Sequence, residues 1–194
     1  MNAGKRIGIL HYSAPPVIGG VEATIYHHAC NLNRAGYLVD VIAGRGESFH
    51  PEVAFHLIRE MSSRHPEILE VGEELAQGRV PGQFQALCKR LAEQLTPIFK
   101  QIEICIVHNA ITLHKNLPLT AALRELSDAG VIKLIAWCHD FAWQDKLYTA
   151  DLHPGFPWDL LRTAWPNVRY VVVSEHRRNC LAQLLNIPIT DIEV

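Results

Sequence analysis

The chain has 194 residues, 48% of them hydrophobic and 20% charged, which is enough for one well-packed core and short for two. A net charge of −2, with Lys and Arg scattered rather than massed, excludes a general attraction to nucleic acid or to anionic membranes. No run approaches the roughly 20 apolar residues that span a bilayer, and no hydrophobic export segment precedes the first charges, so a cytoplasmic protein is expected.

The first strand is read in the seven residues from Arg6, where Ile7, Gly8, Ile9, Leu10 and then Tyr12 form a short apolar run suited to burial on both faces. A proline-broken loop (Ser13, Pro15, Pro16) leads to Gly19-Gly20, after which Val21, Ile25, Ala29 and Leu32 recur at helical spacing up to Gly36. Tyr37 to Ala43 reads as the second strand and Val53 to Ile58 as a weaker third. Residues 59–82, broken by Pro66, Gly72, Gly78, Pro81 and Gly82, read as an irregular excursion with one short helix at most. From Gln83, the stripe Phe84, Leu87, Cys88, Leu91, Leu95 and Ile98 marks a helix.

Glu103 to His108 is the fourth strand. The next helix, Asn116 to Gly130, is signalled at both ends by a capping Asn, Pro118 in the first turn and a terminal Gly. Lys133 to Cys138 is the fifth strand, followed by a long aromatic loop, Phe141 to Trp158, and a short helix near Trp158 to Ala164. Val168 to Val173 is the sixth, with Ser174 placed to cap a helix carrying Cys180, Leu181, Leu184 and Leu185. Apolar strands alternating with helices predict an α/β fold, a doubly wound, mostly parallel, Rossmann-like sheet of six or seven strands in the order 3-2-1-4-5-6, covered on both faces.

In such a sheet ligands bind beyond the carboxyl ends of the strands, where the order reverses. Four strands turn polar at that end: at His11, at His108-Asn109, at His139-Asp140 and at Ser174-Glu175. Gly19-Gly20 either simply turns the chain or opens a helix N-terminus to an anion such as phosphate. His11 and His108 either bond backbone at strand ends or face a ligand, and Asp140 either caps a turn or fixes the tautomer of its neighbour. His139, ending a highly apolar strand ahead of the aromatic loop, reads as ligand-facing, a neutral imidazole able to donate to a sugar hydroxyl. The basic pair Arg177-Arg178 reads as an exposed helix face. Eleven histidines and five cysteines show no metal-ligand spacing and no disulfide framework, so no metal is expected and the cysteines are expected reduced in the core. There is no Gly-x-x-x-x-Gly-Lys-Ser/Thr loop, no Gly-x-Ser-x-Gly elbow and no Gly-x-Gly-x-x-Gly fingerprint, which counts against nucleoside triphosphate hydrolysis, acyl transfer and hydride transfer.

Three stretches together resemble the N-terminal lobe of a retaining glycosyltransferase of the two-lobed GT-B fold, family four type: RIGILHYSAPPVIGGVEATIYHHACNLNRAGYLVDVIAG, CIVHNAITLHKNLPLTAALRELSDAGVIKLIAWCHDF and YVVVSEHRRNCLAQLLNIP. The resemblance implies a nucleotide-sugar donor used as a substrate, retention at the anomeric carbon, and neither an obligatory metal nor a tightly bound cofactor. By it, Gly19, Gly20, His139 and Asp140 approach the donor phosphate or sugar, with His139 as the catalytic candidate. The acceptor lies against the Pro15 to Gly20 loop and the 141–158 loop, with His11, Pro16, Glu22, His108, Asn109 and Trp143 as candidates. Residues 1–187 are then the acceptor-side lobe and 188–194 the start of a linker to a second lobe, without which the chain is expected to be inactive. An apolar patch left by that lobe is expected to be exposed or buried in a homodimer. A non-catalytic nucleotide- or sugar-binding module and a lobe of a nucleotide-sugar epimerase are the alternatives.

Overall fold

The computed structural model describes residues 4–194; the first three residues of the expected 1–187 lobe lie outside the described residues. Seven strands form one sheet: β1 Arg6–His11, β2 Leu38–Ala43, β3 Val53–Leu57, β4 Ile104–His108, β5 Lys133–Cys138, β6 Val168–Val172 and β7 Ile192–Glu193. Their order is β3-β2-β1-β4-β5-β6-β7, and every neighbouring pair is parallel. The six strands read from the sequence are present in the predicted order. The seventh, in the segment 188–194 read as linker, is two residues long and pairs along the β6 edge, where no run of apolar residues could announce it.

The described residues form five helices, α1 Gly20–Arg34, α2 Pro66–Ala76, α3 Gln83–Phe99, α4 Leu117–Asp128 and α5 Glu175–Leu185, of which all but α2 pack on the sheet. One sheet face is covered by α3, α4 and α5, whose Leu91, Leu95, Leu119, Leu123 and Leu181 are completely buried against Leu10, Cys105 and Ala136. The other face carries α1 alone, with Ile25 and Ala29 on Ile9, Val41 and Val53. Two-sided cover therefore thins from β4 onward, where His28 of α1 still reaches His108 and Trp137. Side chains alternate between faces, so Ile104, Ile135, Trp137 and Val171 share the α1 side, where they are half-buried, and Val173 just past β6 is 49% exposed. The cause is handedness: the steps from β4 to β5, β6 and β7 all run one way across the sheet, so their right-handed crossovers, including the 3₁₀ turns between β5 and β6 that bring Leu160 and Trp165 onto the core, fall on the α3–α5 face.

The excursion over 59–82 is more ordered than its punctuation suggests. Ile68, Val71 and Leu75 lie on one face of α2 and pack against Phe84, Leu87, Leu117 and Trp158. Pro66 occupies the first helical position, where its missing N–H costs nothing. One buried charge crosses the sheet: Asp40 of β2 accepts from Arg6 Nη1 of β1 at 2.9 Å and lies 2.7 Å from His56 Nε2 of β3. All five cysteines are free, four of them buried and Cys180 partly exposed.

Asn116 ties the excursion to the sheet. Its Oδ1 accepts the Leu119 N–H at 3.0 Å and caps α4, while its Nδ2 donates to the carbonyls of Glu60 and Met61 at 2.9 and 3.1 Å. Asn116→Ala removes a cap and takes the Asn116 donor from the buried Met61 carbonyl and the part-buried Glu60 carbonyl, so urea denaturation should show a loss of about 2–4 kcal/mol; a loss under about 0.5 kcal/mol would show that this clamp contributes nothing.

Candidate functional site

Because every strand runs the same way, β1, β4 and β5 all end on one edge of the sheet, and the order reverses between β1 and β4. At that edge lies a polar cleft of about 310 Å³. Its lining includes His11, Ser13, Gly20, Glu22, Asn109 and Asp140 together with the cations Arg45, Arg64 and Lys115.

Close backbone packing sets the loop after β1. The Ala14 N–H donates to the Arg45 carbonyl at 2.8 Å, and the Glu47 N–H to the Pro15 carbonyl at 3.0 Å. Gly46 allows this contact, and Gly44 allows a second one, between the end of β2 and the segment after β3. A Cβ on Gly44 would sit 1.9 Å from the Ser62 backbone nitrogen, and Gly46, at φ 127°, would place one 2.7 Å from the Ala14 carbonyl. The loop then delivers the chain to α1, whose N-terminus has no side-chain cap, leaving its first N–H groups without helical partners. A Cβ on Gly20 would meet nothing within 4 Å, so the backbone there is open to the cleft. Ser13 Oγ donates to Glu22 in the first turn of α1.

Asn109 closes β4 at φ 57°, a left-handed position that asparagine tolerates better than most residues. Its Oδ1 accepts the N–H groups of His139 at 2.8 Å and Asp140 at 3.3 Å, and its Nδ2 donates to Asp140 at 3.4 Å. One carboxamide thus joins the ends of β4 and β5. Asp140 also accepts from Arg177 of α5 at 3.1 Å.

Behind the cleft, His11, His28, His108 and His139 form a chain of rings. His108 is completely buried, with ring centres 5.3 Å from His28 and 5.4 Å from His139. His11 Nδ1 lies 2.8 Å from the His108 carbonyl, so that nitrogen carries the proton. His108 Nδ1 is 3.1 Å from His139 Nε2, and His108 Nε2 is buried with no partner. An unpaired ring nitrogen without hydrogen is the less costly orphan. His108 therefore donates to His139, which leaves the His139 proton on Nδ1 of a half-buried ring. Burial lowers the pKa of all four, that of His11 to about 4, and the neighbouring imidazoles depress His108 further.

Of the residues picked out from sequence, His11, Gly20, Glu22, Asn109 and Asp140 share the cleft. Gly19 caps α1 behind Gly20, with room for a side chain only if the Glu22 carboxylate moves, and Pro16 is exposed on the loop just before them. His139 stands behind the rim on His108, which is itself too deep to reach a ligand. Trp143 faces elsewhere: its indole N–H donates to the Trp158 carbonyl, and the Arg162 guanidinium lies 4.0 Å from its ring centre. The cleft's cations escaped the reading because each stands alone in sequence, although the Gly44-Arg45-Gly46 triplet marked a tight backbone approach. Arg177, read as part of an exposed helix face, instead pairs with Asp140 and lies over Phe141 at 5.5 Å. Among the described residues no group of three or more His, Cys, Asp or Glu could hold a metal, and no helix is long and apolar enough to cross a membrane.

The four histidines imply a direction for stability against pH. Their folded pKa values lie below the ordinary 6.5, so the unfolded chain binds more protons as pH drops beneath it. Stability is complete above about pH 6.5 and drains as pH falls toward the folded values, by about 2 kcal/mol between pH 7 and pH 5 from His11 alone. Urea midpoints measured at pH 7 and pH 5 should differ accordingly; coincident midpoints would mean that these rings are not held neutral.

The sequence model of the family described as Glycosyltransferase Family 4 matches residues 18–194. Among solved structures, the chain is similar to Phytolacca americana UGT2 complexed with UDP-2fluoro-glucose and pterostilbene, at 12% identity and a TM-score of 0.38, over 72% of this chain and 31% of that one. The chain thus spans about a third of the length of that protein. No curated protein sequence matches it. With its Rossmann-like parallel sheet and a family match over nearly its whole length, the chain belongs to Glycosyltransferase Family 4.

Proposed function

We propose that this chain is the acceptor-side lobe of a retaining glycosyltransferase, moving a hexosyl unit from a nucleotide sugar to a hydroxyl across the polar cleft. The observation that carries the reading is the convergence of the open α1 N-terminus, Glu22, Asn109 and Asp140 in one cleft at the strand-order reversal of a family-four chain. The uncapped turn at Gly19 and Gly20 suits the donor diphosphate, because its free N–H groups and the helix dipole favour negative charge. His139 and Asp140 serve the transferred sugar. The imidazole of His139, neutral at working pH, donates from Nδ1 to a sugar hydroxyl, and Asn109 fixes the backbone on which both side chains stand. His11, Glu22, Asn109 and the Pro16 loop face the acceptor. His108 and Trp143 are not proposed as contacts, the first for its depth and the second for its orientation.

The nucleotide sugar is a substrate, and no metal takes part in this reading. Negative charge gathers on the departing diphosphate, and one helix N-terminus answers it only in part, so a second lobe supplies the remaining cations and the nucleotide site. The half-covered sheet face around Ile135, Trp137 and Val173 suits contact with that lobe or with a second copy of the chain. Free, mostly buried cysteines suit a reducing cytoplasm.

Turnover of a nucleotide sugar should be absent with the 194-residue chain and present when it continues into its second lobe. There, His139→Ala should lower kcat by about 10²-fold, and an unchanged rate would remove His139 from the site. Tight nucleotide binding by the chain alone, measured by calorimetry, would favour a non-catalytic binding module. Light scattering with an apolar dye should reveal a dimer or an accessible patch; a dye-silent monomer would dismiss the exposed face.

A further inference from the structure

The polar cleft continues past its own rim. Ser63, Arg64 and Lys115 line it and also line a neighbouring groove of about 420 Å³. This groove runs along α2, and its apolar walls include Ile68, Leu69, Gly72 and Leu75 from the helix, with Leu117 and Trp158 from other segments. Two cations therefore stand at the border between a polar basin and an apolar trough.

The charges of the basin are unevenly matched. Both of its carboxylates have partners, Glu22 in Ser13 and Asp140 in Arg177 and Asn109. Arg45, Arg64 and Lys115 have no carboxylate within ion-pair reach among the described residues, and the Lys115 Nζ lies only near the Tyr148 ring, 5.8 Å from its centre. Carboxylates also line the trough: Asp151 stands 3.9 Å from His114 Nε2, and Glu73 is exposed. A single carboxylate ligand would answer one of the unmatched cations, whereas a phosphate monoester, with up to two charges and three acceptor oxygens, can engage several.

Gly72 supplies the independent observation. It sits inside α2, where glycine is less favourable than alanine, yet a Cβ there would meet nothing within 4 Å. Packing against the protein does not require glycine at this position. Its bare backbone leaves the trough open beside Leu69, which is 51% exposed.

We propose that the acceptor is an amphiphile carrying a phosphate, with the phosphate between Arg64 and Lys115, its apolar part along α2 over Gly72, and its hydroxyl in the polar cleft. The inference rests on the acceptor-side reading and names the substrate class for that site. A soluble alkyl or aryl phosphate and a lipid head group share this chemistry.

The test titrates the 194-residue chain with hexyl phosphate, inorganic phosphate and hexanol, and separately with phosphatidylcholine vesicles containing phosphatidic acid. Hexyl phosphate should bind at least about tenfold more tightly than inorganic phosphate, since burial of the alkyl chain adds to the anion contact. Gly72→Phe should abolish that advantage and leave inorganic phosphate binding unchanged, and the open Cβ position keeps the variant foldable. Gly72→Leu provides a second, smaller filling. Arg64→Gln combined with Lys115→Gln should weaken hexyl phosphate by about tenfold. Groove-dependent binding of hexyl phosphate alone supports a soluble acceptor, and vesicle binding that Gly72→Phe removes supports a lipid one. Equal affinity for hexyl and inorganic phosphate together with no groove-dependent vesicle binding overturns the inference, as does indifference of both probes to Gly72→Phe. Groove-dependent binding without nucleotide-sugar turnover by the two-lobed protein leaves the site standing and overturns the transferase reading. Wild-type turnover by the Arg64→Gln, Lys115→Gln protein does the reverse.

Discussion

Because all seven strands run parallel, each chain segment that leaves the sheet at a carboxyl end emerges on the same edge, and the reversal between β1 and β4 opens that edge into a cleft. The remaining features of the site depend on this constraint. It sets His11, Asn109 and Asp140, far apart in sequence, within one rim, and it lets the side chain of Asn109 span β4 and β5. An antiparallel β5 would send His139 and Asp140 to the opposite edge. The crossovers that parallel strands demand are also long, which makes room for the excursion that carries α2.

The polar groups of the rim divide into two populations. The histidines lie inward, packed ring against ring around His108 and held neutral by burial, so they contribute oriented donors and acceptors without charge. The cations lie outward: Arg45 and Arg64 are brought there by loops whose backbones meet at Gly44 and Gly46, and Lys115 by the turn before α4. A site built this way offers neutral donors and acceptors beside cations, the combination on which the proposed glycosyl transfer rests. Asp140 joins the two populations, since Asn109 fixes it on the inward side and Arg177 on the outward.

The sheet faces are unequal for a related reason. The crossovers from β3 through to β7 all step one way and so place α3, α4, α5 and the β5–β6 connection on one face, whereas α1 covers the other and reaches β4 and β5 only through His28. Trp137 shows the result: on this face its ring meets His28 edge-on at 4.5 Å and His108 at 6.0 Å, it stays half-buried, and its indole nitrogen has no partner. A sheet face this apolar and this thinly covered is energetically incomplete, because half-buried Ile, Trp and Val side chains forgo part of their transfer free energy.

Strand and helix positions were legible because their signals are local. Apolar runs marked six strands, Asn116 and Ser174 announced caps that the structure forms, and Gly36 and Gly130 stop their helices at positive φ. The strand order followed from alternation and handedness, and the polar carboxyl ends of the strands pointed to the rim. Pairing across loops was beyond reach. Whether Arg177 faced solvent or Asp140, whether Trp143 lined the cleft or packed under Arg162, and how Arg45, Arg64 and Lys115 came together depend on contacts between segments that periodicity does not encode. The seventh strand and α2 were obscured for the same reason: two residues carry no pattern, and Gly72 interrupts a helix whose apolar stripe has meaning only once Phe84, Leu87 and Trp158 stand opposite it. Local chemistry in the chain determined the elements and the edge of the sheet that would carry polar groups, and tertiary packing alone decided which of those groups meet, because their partners lie tens of residues away along the chain.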